Sequence, residues 1–140
     1  MLVERIIHFR TSIFPPLPNE AEELVNEGMY GKAVCQFLER ELPQRGFEVI
    51  RYVAEDWGWW IEVENSVKSL ELAIYSGGHD ISEMDYAILL DIRKPSFFSL
   101  KKMKRVSRET EMKSLQSALE DLISSTPNVK LMSITEEFPF

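Results

Sequence analysis

Few residues in this chain have both the type and the spacing that chemistry requires. Glu55 and Asp56 form an acid pair directly before Trp57, Gly58, Trp59 and Trp60. Carboxylates beside indole faces can hold a cation, a sugar or an amine. His79 and Asp80 follow Gly77 and Gly78, and an imidazole beside a carboxylate can serve as a general base or a metal ligand. Together with Tyr75, these residues define a ligand-binding set for a small molecule: Glu55, Asp56, Trp60, Tyr75 and His79. His8 is the only other histidine and Cys35 the only cysteine, so a His- or Cys-rich metal site has too few ligands and none is expected. Cys35 sits between Val34 and Gln36 on a helical stretch with no base beside it, which reads as a buried small hydrophobe and not a nucleophile. The glycines match neither the phosphate-cradling nor the dinucleotide spacing, and no serine lies in a nucleophile-elbow pattern. No catalytic residue and no cofactor follow from these patterns.

A second feature is electrostatic. Arg93, Lys94, Lys101, Lys102, Lys104, Arg105 and Arg108 occur in one stretch without an acid, so +7 is concentrated there in a chain of net charge −7. Phe97, Phe98, Leu100 and Met103 interleave with these cations, a mixture that suits an acidic protein face, single-stranded nucleic acid or anionic lipid, or else forms a solvated loop. The other residues carry −14, which repels a long polyanion but lets a protein face of limited size dock on the basic segment alone. The partner surface expected here is therefore Phe97, Phe98, Lys101, Lys102, Lys104 and Arg105, facing a protein partner or a second copy. Nucleic acid is disfavoured.

The elements that would position these residues follow from hydrophobic periodicity. With 140 residues, 44% of them hydrophobic, the chain fits one domain over 1–140 with a core that needs no metal or disulfide. Val3 to Phe14 reads as a strand, stopped by Pro15, Pro16 and Pro18. Asn19 before three glutamates predicts a short helix to about Glu27. Val34, Phe37, Leu38 and Leu42 form the stripe of an amphipathic helix that ends at Pro43 and Gly46. Phe47 to Ala54 is apolar on both parities, as in an interior strand. Asp56-Trp57-Gly58 supplies a turn, bulge or strand opening, and Trp57, Trp59, Ile61 and Val63 share one parity with Trp60, Glu62 and Glu64 on the other, which puts Trp57 and Trp59 in the core and Trp60 outside it. Leu70, Leu72 and Ile74 mark a third strand, with a loop at Ser76 to Asp80, and Met84 to Ile92 is apolar enough for the sheet centre. Ser107 reads as the cap of a helix with Met112, Leu115, Ala118, Leu119 and Leu122 on its apolar side, and Asn128 to Ile134 as a short last strand.

The segment Gly46-Phe-Glu-Val, followed by Glu55-Asp56-Trp57-Gly58-Trp59, resembles a pattern found in small uncharacterised bacterial α+β proteins. The resemblance implies a fold and carries no function with it. Trp60 and the later basic segment lie outside the pattern.

Four strands in a row with short turns imply an antiparallel meander, and two helices with one apolar face each must cover one side of it. The expected fold is α+β, a two-layer sandwich with a mostly antiparallel sheet of about six strands and two main helices on one face. No apolar run reaches membrane-span length, and the first residues lack the pattern of a signal peptide. A cytoplasmic, non-catalytic module that binds protein or itself is the leading reading. The alternative is a small-molecule binder or enzyme with its cleft between sheet and helices.

Overall fold

A computed structural model describes residues 5–26, 28–66, 69–80, 83–90 and 101–135. Six strands form one antiparallel sheet: β1 (Arg5–Thr11), β2 (Glu48–Glu55), β3 (Gly58–Glu64), β4 (Ser69–Asp80), β5 (Glu83–Leu90) and β6 (Val129–Thr135). Their order is β2-β3-β4-β5-β1-β6. The meander β2 to β5 is therefore present as expected, and β5 is an inner strand with β4 on one side and β1 on the other.

Strand alternation sorts the side chains. Ile7, Phe9, Trp59, Ile61, Val63, Leu70, Leu72, Ile74, Tyr86, Ile88 and Leu90 point to one face and are buried. Onto that face pack helix α1 (Lys32–Glu41), through Val34, Cys35, Phe37 and Leu38, and helix α2 (Lys101–Ser125), through Met112, Leu115, Leu119, Leu122 and Ile123. The two helices divide it, with α1 against β2 and β3 and α2 against β1 and β6. The fold is the two-layer α+β arrangement the periodicity implies. Among the described residues, no helix is long and apolar enough to cross a membrane.

Five local expectations are corrected. The helix predicted from Glu20 is only a 3-10 turn over Glu20–Glu22, and Asn19 adopts a left-handed conformation (φ 67°) without a side-chain cap. The segment lacks an apolar stripe to bury, so nothing sustains a helix. Glu20 instead turns inward: its Oε2 accepts the amides of Gly31 and Lys32, both at 2.9 Å, and its Oε1 that of Leu17 at 3.0 Å. This buried carboxylate satisfies the first orphan N–H groups of α1, where the helix dipole favours negative charge. Second, Ser76 to Asp80 is strand, because β5 is long enough to pair with β4 as far as Asp80. Third, Ser107 lies inside α2 and does not cap it, so the second half of the basic segment is helical backbone.

Fourth, β2 is an edge strand, not an interior one, and Ile50 and Val53 are 45% and 46% exposed. A run that is apolar on both parities shows what must be hidden only if both faces and both edges are covered, and here they are not. Fifth, Trp57 is half-buried in the two-residue turn between Glu55 and Gly58, outside the strand whose parity placed it in the core. Its ring stacks on Tyr75, with centroids 5.1 Å apart.

Gly58 makes that hairpin feasible. At φ 152° a Cβ there would collide with the carbonyl oxygen of Ile74, so β3 and β4 can approach only with glycine at this position. Trp59 is 2% exposed and Trp60 half-buried on the opposite face. Trp59→Ala should therefore lower unfolding free energy by about 3 to 5 kcal/mol through the cavity it leaves. Trp60→Ala should lower it by about 1 kcal/mol, the loss of partial burial and of a cation–π contact. Denaturant titration of both variants checks the order, and the reverse order would contradict the assignment of faces.

Candidate functional site

The helices leave the second face of the sheet uncovered by any described element, and that face holds the polar side chains. Register fixes its rows. Arg10 of β1 stands opposite Asp85 of β5, which stands opposite Gly77 of β4. The next row runs Ser133, His8, Ala87 and Tyr75 across β6, β1, β5 and β4. The row beyond runs Ile6, Leu89, Ala73, Trp60 and Val53.

At the middle of this face Asp85 has two basic side chains within hydrogen-bond reach. Arg10 Nε donates to Oδ1 at 2.9 Å and Nη2 to Oδ2 at 3.4 Å, while His8 Nε2 lies 3.0 Å from Oδ1. Asp85 is 4% exposed. Burial alone would push its carboxyl up, but the hydrogen bonds from Arg10 and His8 and their charges outweigh that and hold it below the usual carboxylate range. Asp85 in turn raises the Arg10 guanidinium. Gly77 supplies no side chain in that row. The arrangement ties β1, which arrives from the far end of the sequence, to β5, the last strand of the meander.

Sequence reasoning missed this cluster, since Arg10 and Asp85 become neighbours only through β1–β5 pairing. One signal was available: Asp85 interrupts the most apolar strand, and an ionised carboxylate in such a place needs partners.

The five residues of the expected ligand set are only partly assembled. Glu55, Trp60 and Tyr75 belong to the helix-free face near the β2–β3 turn. Asp56 is exposed in the turn itself, where its carbonyl accepts the side-chain amide of Asn26 at 2.6 Å. The backbone of His79 lies toward the far end of β4, at the register shift between Gly78 and Asp80. Trp60 carries the Arg51 guanidinium over its ring at 5.3 Å, and Arg51 Nε also donates to Glu62 at 2.9 Å. Cys35 is fully buried, and burial, followed by the charge of Glu20, pushes its thiol well up, so it stays protonated at neutral pH. Among the described residues no group of three or more His, Cys, Asp or Glu is placed to hold a metal. Of the basic partner surface, Phe97 and Phe98 lie outside the described residues, whereas Lys101, Lys102, Lys104 and Arg105 belong to the first turns of α2.

Compared with known protein families, curated proteins and solved structures, the chain matches none.

Removing one partner of a buried ion cluster leaves the others uncompensated. Asp85→Asn should therefore cost about 3 kcal/mol of stability at pH 7. Because the folded carboxyl titrates below its unfolded value, its contribution is complete above that value, near pH 4, and is lost as pH falls through the lowered folded pKa. Urea melts of wild type and variant from pH 7 to pH 2.5 should converge at the acid end. A gap that stays constant over this range would show that the charge of Asp85 contributes nothing.

Proposed function

We propose that this chain is a non-catalytic protein-binding module that works through the outer edge of β2. The observation that carries this reading is the exposure of Ile50 and Val53, at 45% and 46%, on a strand that ends the sheet. An edge strand presents unpaired N–H and C=O groups, and exposed β-branched side chains beside them suit the addition of another strand. Arg51, held over Trp60, sets a cation and an aromatic face next to the same edge, the pairing found at energetically dominant contacts.

The opposite edge also exposes apolar side chains, Met132 and Ile134 at 37% each, but is less suitable. The register of β6 against β1 shifts in mid-strand, between His8 and Phe9 of β1, and Lys130 is exposed near its start. Bulges and lysines are the usual devices that keep an edge from pairing. In β2 the shift comes early, between Val49 and Arg51, which leaves Arg51 to Glu55 as an uninterrupted run.

A photo-crosslinking amino acid at Ile50, introduced in cells that make the chain, tests the reading. It should give a discrete protein adduct that Val53→Lys abolishes and Met132→Lys, on β6, leaves intact. An adduct that persists in Val53→Lys, or none at all, would overturn binding through β2.

A further inference from the structure

We infer that the strand received by this edge is β2 of a second copy, in one register: antiparallel about a twofold axis at Val53, with Arg51 of each copy facing Glu55 of the other. The inference rests on the proposed binding role of β2 and adds its partner.

A twofold axis normal to the sheet keeps like faces together, so each residue must meet one of its own parity. Within the uninterrupted run Arg51 to Glu55, three registers meet this condition about a single central residue. Centring on Tyr52 sets Arg51 against Val53 and carries Glu55 to Val49, beyond the register shift. Centring on Ala54 retains only Val53 against Glu55 beside the central pair. Centring on Val53 uses all five residues: Val53 meets Val53, Tyr52 meets Ala54 on the helix side, and Arg51 meets Glu55 twice on the helix-free side. The exposed Val53 pair then lies at the axis, flanked by two opposite-charge pairs, as favourable cross-strand neighbours require.

The side chains are prepared for this register. Among the described residues Glu55 has no ion-pair partner, although it belongs to the face that carries Arg51. The Arg51 guanidinium already lies over Trp60 with Glu62 on Nε, and its terminal nitrogens offer further donors for a second carboxylate. The run Arg51 to Glu55 carries one charge of each sign, so this register sets no like charges opposite one another, although each chain carries −7 overall. A contact of this length is far smaller than a standard stable interface. The dimer is therefore reversible, and salt screens both its exposed charge pairs and the repulsion between the two acidic chains.

Sedimentation of the full chain across a range of loading concentrations, with charge reversals, tests the register. Wild type should dimerise. Arg51→Glu alone and Glu55→Arg alone should each weaken dimerisation about tenfold or more, since each sets like charges opposite one another. An equimolar mixture of the two single variants should recover wild-type association, because both cross-axis contacts of the mixed dimer then join a carboxylate of one variant to a guanidinium of the other. That recovery cannot come from a folding defect in either variant. A wild type that stays monomeric while the Ile50 crosslink to another protein persists would overturn self-pairing and leave the binding edge standing. Dimerisation unaffected by either reversal, or no recovery in the mixture, would overturn the register. Absence of both dimer and crosslink would remove the binding edge as well.

Discussion

An open antiparallel sheet has two edges, and every main-chain N–H and C=O along them that points outward lacks a partner within the sheet. That constraint governs this molecule more than any single side chain. Two amphipathic helices cover one face, α1 over β2 and β3 and α2 over β1 and β6, and neither extends the hydrogen-bonded ladder. At β6 the chain breaks the register in mid-strand and exposes a lysine. At β2 the uninterrupted run of five residues has exposed Val53 at its middle and exposed Ile50 just before it. Met132 and Ile134 of β6 are also exposed, at 37% each, so the two ends differ chiefly in the register shift and the lysine, the features on which the proposed choice of β2 rests.

Charge does the corresponding work in the sheet interior. The first strand is inserted between β5 and β6, so the sheet is complete only when the beginning of the chain meets both the meander and the last strand. Apolar contacts on the helix side favour that insertion but do not distinguish well between neighbouring registers of similar pattern. Arg10 and His8 converging on buried Asp85 do distinguish them, because a slip by two residues would disrupt the hydrogen bonds of the carboxylate with both side chains. Glu20 plays a comparable part at the start of α1, where one buried carboxylate collects three amides and fixes the loop after the prolines. Both acids are costly to bury unless satisfied.

The layered α+β class, the meander and the apolar stripes of both helices were legible in the sequence, since each depends on the local period of hydrophobic residues. Trp59 against Trp60 was legible for the same reason. Trp57 was not, because a turn breaks the alternation one residue before β3 begins. The short helix after Asn19 failed because capping residues and acids describe how a helix starts and not whether it has a face to bury. The edge position of β2 could not be read, and of the Arg10–His8–Asp85 cluster only the lone acid in an apolar strand could, as the rest follows from strand order and register. The chemistry-bearing residues singled out first are accordingly split: Glu55, Trp60 and Tyr75 share a face, while Asp56 sits in the turn and the His79 backbone lies toward the other end of β4.

The most direct test of pairing through β2 is amide hydrogen exchange, read residue by residue at low and at high protein concentration. Amides of the Arg51 to Glu55 run that face away from β3 should exchange rapidly when dilute and become protected as concentration rises, while β6 amides that face away from β1 exchange at the same rate in both. Protection that grows at β6, or exchange in β2 that is independent of concentration, would contradict the account.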